Sequence, residues 1–179
     1  MNYEPIIKPI NFDIVDVCRE YLKTNNLANR AKHDGTKKQQ LVGLVGEMES
    51  NYLLKGFYPD LKEKGKGFDG GFDIVLKNYK IDVKSMERKV YTKPHYANNF
   101  PRLQDHYNPD ILLFTSINKS TYKIEFCGWI WKKELNEKSI LYEKGSVRKR
   151  GHNDIMVVKE DNYEVLCSDV RDIRKLIIY

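Results

Sequence analysis

Cysteine is scarce. Three occur in 179 residues, at Cys18, Cys127 and Cys167, and they lie far apart. No Cys-x-x-Cys and no Cys/His pair at zinc-finger spacing is present, which excludes a local zinc module and a dense disulfide framework. The three read as reduced, mostly buried thiols. Long apolar runs are missing too, and none approaches the roughly 20 residues that cross a bilayer. The opening residues, MNYEPIIKPINFD, lack the basic start and apolar stretch of a secretion signal. A cytoplasmic protein without a membrane partner is therefore expected. No internal repeat, low-complexity linker, helicase motif or ATPase motif interrupts the chain. The length suits one domain with a real core and is short for two ordinary ones.

What is present is a balanced globular composition, 41% hydrophobic and 31% charged, with a net charge of +6. The excess of positive charge suits a polyanionic partner. Asn11 or Asp13 can cap a first helix of about ten residues, with Ile14, Cys18, Tyr21 and Leu22 as its apolar stripe. In KKQQLVGLVGEMESNYLLKGF, Leu41, Leu44, Val45, Met48 and Tyr52 recur at helical spacing, and Gly56 stands where a terminating glycine belongs. Gly43 and Gly46 sit inside that helix at about 1 kcal/mol each relative to alanine. They admit two readings: close approach of another backbone, or a weak helix with a local kink. FDIVL and KIDVKSM form a hairpin turning near Asn78-Tyr79. DILLF and TYKIEFCGWIW are strands with INKS between them. IMVVK and YEVLC form a last hairpin, and SDVRDIRKLIIY a short terminal helix or edge segment. Residues 88–109 read as irregular. The order predicts an α/β (α+β) domain with a central mixed β-sheet flanked by helices. It has an N-terminal helical segment over 1–39 and additional strands with a closing helix over 110–179.

The stretch FDGGFDIVLKNYKIDVKSM places two aspartates and a lysine on short, otherwise apolar strands. A charge on a half-buried strand is costly unless paired, hydrated or bound to a metal. A turn at Asn78-Tyr79 pairs Val75 with Asp82 and Asp73 with Lys84. Asp73, Asp82 and Lys84 then project to one face, and a one-residue slip would separate them. Two neighbouring carboxylates repel unless a cation neutralises them or one is protonated. Hard oxygen donors of this kind suit Mg²⁺ or Mn²⁺. The bland counterpart is a surface hairpin with a cross-strand Asp–Lys pair.

Taken in order, VGEMES with Glu47, GGFDI with Asp73, and IDVKS with Asp82 and Lys84 resemble the PD-(D/E)XK nuclease superfamily. The motif core covers residues 40–86, with Asp where Glu is more frequent in the third element. The Pro-Asp dipeptide before Asp73 is absent. The resemblance implies a restriction-endonuclease-like core and one nuclease domain over 1–179. It implies Mg²⁺-dependent hydrolysis of DNA, by an endonuclease of restriction or junction-resolving type, and a possible homodimer. A non-catalytic nucleic-acid-binding protein keeping the fold is the alternative. By the same resemblance, Asp73, Asp82 and the main-chain carbonyl of Val83 bind Mg²⁺ (Mn²⁺ as substitute). Glu47 binds a second metal or a metal-bound water. Lys84 positions the attacking water and steadies charge on the phosphate. Glu49 and Asp69 compete as carboxylates; Glu47 is preferred because it borders the apolar stripe and follows Gly46, and Asp69 is assigned to the loop or an outer shell.

Basic residues that can contact phosphates lie at Lys37 and Lys38, at Arg88, Lys89 and Lys93 among aromatic residues, and at Arg148, Lys149 and Arg150. The four histidines show no metal-ligand spacing. Trp129 and Trp131 share a strand face, for core packing or for a partner contact.

Overall fold

The structure, a computed structural model, describes residues 3–27, 35–62, 71–150 and 154–178. The chain begins with a short strand, β1 (Ile6–Pro9), and then helix α1 (Phe12–Thr24). Asn11 caps α1 by accepting from the Asp13 amide at 3.0 Å, and the predicted stripe buries Cys18 and Leu22. Helix α2 (Lys37–Lys55) opens on a capping box. The Thr36 hydroxyl accepts from the Gln39 amide, and the Gln39 side chain accepts from the Thr36 amide. It closes on Gly56 at φ 81°, where glycine avoids the left-handed penalty.

The strands that follow are β2 (Ile74–Leu76), β3 (Tyr79–Arg88), β4 (Ala97–Pro101), β5 (Ile111–Asn118) and β6 (Lys123–Trp131). After a short helix α3 (Leu135–Lys138) come β7 (Ser139–Tyr142), β8 (Val147–Arg150), β9 (Asp154–Val157), β10 (Asn162–Leu166) and helix α4 (Ile173–Ile178). The main sheet has the order β1-β6-β5-β3-β2, and its β3–β5 pair is parallel while the others are antiparallel. The mixed sheet flanked by helices is thus as expected. Its centre is β5, ILLFTSIN, buried along nearly its whole length. A near-continuous apolar strand of that kind needs cover on both faces. Ile111 and Leu113 face the helices with Ile81, Val83, Leu44, Val45 and Met48. Leu112 and Phe114 face a second sheet, β4-β10-β7, through Phe100, Tyr163 and Val165. Asp82 and Lys84 pair with Leu112 and Phe114, so they lie on the second-sheet side.

Several expectations are corrected. The final hairpin does not form: β9 pairs with β8, and β10 lies between β4 and β7. Tyr163 and Val165 bury against the second core, which outweighs a local turn at 160–162. Strands β1, β4, β7 and β8 were not anticipated. Each is four or five residues long and carries too few periods to read. In β4, ANNFP, the Asn pair and the Pro imitate a loop. Trp129 is buried and meets Trp131 edge to face at 5.2 Å, so packing explains the pair. No helix among the described residues is long and apolar enough to cross a membrane.

Candidate active site

The β2–β3 hairpin turns at Lys77-Asn78, where Lys77 takes φ 52°, and pairs Leu76 with Tyr79, Val75 with Lys80 and Ile74 with Ile81. The register therefore sits two residues from the expected one. Side chains alternate with period two, so a two-residue shift keeps every side chain on its face. The expected pairing was wrong, and the shared face survived it. Beyond Ile74 the Asp73 amide still donates to the Ile81 carbonyl at 2.8 Å. Then the ladder stops. The Val83 amide donates instead to the Asp73 carboxylate Oδ2 at 2.7 Å. A side-chain oxygen takes the place of a strand carbonyl, and a cleft opens where β2 leaves β3.

Asp82 is 6% exposed and ion-paired with Lys84. Burial pushes its carboxyl up to about 7; Lys84 opposes that rise and Asp73 adds to it. Lys84 also stands 5.6 Å from the centre of the Phe100 ring. The lysine is thus held between a carboxylate and an aromatic face.

Helix α2 supplies the opposite wall. Gly46 is where it meets the sheet. A Cβ there would overlap Ser85 and come within 3.0 Å of Thr115 Oγ1, two hydroxyls that bond each other at 2.8 Å. Close packing of the α2 backbone on these side chains, rather than on another backbone, is therefore the reason for Gly46. A Cβ at Gly43 would meet nothing within 4 Å. Glu47 follows Gly46 and reaches the cleft. Glu49 points elsewhere, accepting from the Asn11 amide at 2.9 Å and the Tyr58 hydroxyl at 3.4 Å, with its carboxyl raised by burial. It ties α2 to the start of α1.

One cleft of about 230 Å³ is lined by Glu47, Asp73, Asp82, Val83 and Lys84 together. It also takes in Gln39, Gln104 and Tyr107, none of which sequence reasoning singled out. Tyr107 packs over Gly71, where a Cβ would stand 2.6 Å from the tyrosine Cβ and φ is 86°. The glycines before Asp73 were the one sign in the sequence that something packs closely there. Gln104 ends the 3-10 turn Arg102–Gln104 after β4, inside a segment that read as irregular. Among the described residues, no group of three or more His, Cys, Asp or Glu side chains stands close enough to hold one ion. Asp73 and Asp82 interact, whereas Glu47 faces them from the helix side. Asp69 falls outside the described residues.

The basic candidates separate. Lys38 is exposed, bonds Glu87 at 2.9 Å and lines a groove that continues from the cleft past Lys84, Ser85 and Met86. Lys89 and Lys93 are exposed beyond the end of β3. Lys37 donates to the Leu22 and Asn25 carbonyls, both at 2.8 Å, at the end of α1. Arg88 donates to the Ala97 carbonyl at 2.6 Å and lies over the Tyr96 ring. Arg148 is ion-paired at 2.6 Å with Glu164, whose side chain is 6% exposed. These three hold the fold in the form described. Lys149 and Arg150 lie on β8, and their side chains fall outside the described residues.

Comparison with known proteins adds no relative. The chain matches no family model, no curated protein and no solved structure.

Proposed function

We propose that the chain is a Mg²⁺-dependent nuclease with a restriction-endonuclease-like core, hydrolysing phosphodiester bonds in DNA as an endonuclease. The observation that carries this reading is the single cleft shared by Glu47, Asp73, Asp82 and Lys84. The donor set fits a hard divalent cation. Two carboxylates meet where β2 leaves β3, and one of them is held near 7 by burial, a cost that a cation relieves. Asp73 and Asp82 would hold the ion, with Glu47 reaching it through water from the helix side. Bound there, Mg²⁺ would polarise the phosphoryl group and lower the pKa of a bound water.

The protein's own groups do the rest. The Val83 amide fixes the Asp73 carboxylate in one orientation. Lys84, released from Asp82 when that carboxylate has another partner, donates to a phosphate oxygen and stabilises its developing charge. The groove beside Lys38 gives the polyanion a path away from the cleft. The described residues of one chain form one such cleft, so cutting both strands of a duplex at one step would use two copies, and a homodimer is part of the reading.

A second reading, a nucleic-acid-binding protein without catalysis, draws on the closed Asp82–Lys84 pair and on the lack, among the described residues, of a three-carboxylate group close enough to hold one ion. Cleavage of plasmid, single-stranded and branched DNA, by wild type and Lys84→Ala with Mg²⁺ or Mn²⁺, separates the two. The nuclease reading expects wild type to cut at least one substrate and the variant to lose roughly 10²-fold or more in rate. Binding by wild type with no cutting of any substrate leaves only the second.

A further inference from the structure

The groove beside Lys38 shares Gln39, Lys84, Ser85 and Pro101 with the cleft and has a volume of about 530 Å³. That is the size of concavities that hold small molecules, roughly 300–1,000 Å³. Its walls carry more than a path for phosphates needs. Val42, Met86 and Pro101 bring apolar surface, and Asn99 brings a carboxamide. Alternation along β4 aims that side chain. Asn98 and Phe100 are 1% and 0% exposed and face the second core, where the Asn98 amide nitrogen donates to Cys167 Sγ at 3.4 Å. Asn99 and Pro101 project to the other side, and both line the groove. The Gln39 side-chain oxygen is committed to the Thr36 cap. The half-buried Asn99 side chain makes no hydrogen bond among the described residues. Glu87, the acidic residue of the groove, is neutralised by Lys38 and Lys119 at 2.9 and 3.2 Å.

A DNA duplex keeps its base edges inside its own grooves, and a protein reads them there with a protruding helix or ribbon. A concave surface receives a base only after that base has left the stack. We propose that this groove binds an unpaired nucleotide next to the scissile phosphate, with the base laid against Val42, Met86 and Pro101 and its edge hydrogen-bonded by Asn99. The substrate class is then DNA with single-stranded character at the cut, a free strand, a flap or a branch, rather than continuous duplex. A carboxamide offers a donor and an acceptor side by side, which matches the adjacent acceptor and donor on the edge of an unpaired base. Lys84, which lines both cavities, holds the phosphate while the base fills the groove. The inference rests on the nuclease reading above for the scissile phosphate, and not for the base contact.

The experiment is fluorescence anisotropy in EDTA, where metal-dependent cutting is blocked, at one salt concentration. Wild type and Asn99→Leu are compared on a short labelled single strand, a fully abasic strand of equal length, and the matching duplex. Leucine keeps the volume of the side chain and loses both hydrogen-bonding groups. Charge alone favours the duplex, whose phosphates are the more densely packed. The expected result is that wild type binds the single strand at least about fivefold more tightly than either other DNA. Asn99→Leu loses about fivefold on the single strand, the low end for a paired carboxamide, with no change on the abasic strand. Wild type that binds the single strand no more tightly than the abasic strand or the duplex overturns the inference, whatever the variant does. So does an Asn99→Leu that loses nothing on the single strand, or loses equally on both strands. Cleavage with Mg²⁺ is read separately: a wild type that shows the base preference and cuts no DNA overturns the nuclease reading and leaves the base-binding groove standing.

Discussion

Asp82 carries the sharpest conflict between folding and function. Its carboxyl is raised to about 7, first by burial, above the 3.8 usual for an aspartate. The folded protein therefore holds this proton more tightly than the unfolded chain. The sign follows from linkage: Asp82 favours the folded state below its unfolded pKa, and that contribution is lost as pH rises through about 7. In metal-free protein, Asp82→Asn should leave stability at pH 4 nearly unchanged and raise it at pH 8 by on the order of 1–3 kcal/mol, while abolishing cleavage. Denaturant melts in EDTA across that range check it. A variant less stable than wild type at pH 8 contradicts the assignment. Gly46 and Gly43 form a second residue-scale pair. Gly46→Ala drives a Cβ into Ser85 and should cost about 1–3 kcal/mol. Gly43→Ala meets open space and should stabilise by up to about 1 kcal/mol through helix propensity. Urea unfolding of the two variants should shift in opposite directions.

Among the elements, β10 decides how the second half of the chain is assembled. It joins β4 to β7, buries Tyr163 and Val165, and presents Glu164 to Arg148 of β8. Removing one partner of a buried pair leaves an uncompensated charge. Arg148→Ala should therefore destabilise by about 2–3 kcal/mol, read as an earlier urea midpoint. Its effect on DNA binding, once corrected for unfolded protein, should be small. Lys38→Ala is the contrast. Lys38 is exposed at the groove, and its pair with Glu87 lies at the surface. Stability should stay within about 0.5 kcal/mol of wild type, while DNA affinity falls and its salt dependence flattens. Fluorescence anisotropy with labelled DNA at several salt concentrations reads both.

At the scale of the whole molecule, one sheet serves two cores. Helices cover one face and a smaller sheet covers the other, so the edge between β2 and β3 is where both layers can reach the same point. Glu47 arrives from the helix layer, Pro101 from the second sheet, Gln104 from the turn that follows it, and Asp73 and Asp82 from the hairpin between the layers. Addition of Mg²⁺ should raise the melting temperature of wild type, and by much less in Asp82→Asn, because an ion bound only to the folded state stabilises it. Differential scanning fluorimetry over a Mg²⁺ titration tests this.

The sequence by itself determined most of the longer local elements. Helical spacing marked α1 and α2, a glycine marked the end of α2, and short β-type runs, alternating in β3 and continuously apolar in β5, marked β3, β5 and β6. The common face of Asp73, Asp82 and Lys84 was legible too. It depends on a period of two, which a two-residue error in register leaves unchanged. Tertiary structure alone decided what lies far apart in the chain. It paired β10 with β4 rather than β9, and turned Arg88 and Arg148 toward the fold. It sent Glu49 to α1 and Glu47 to the cleft, and brought Gln104 beside them. Those outcomes come from the burial of distant apolar faces against one another, which no local pattern of residues encodes.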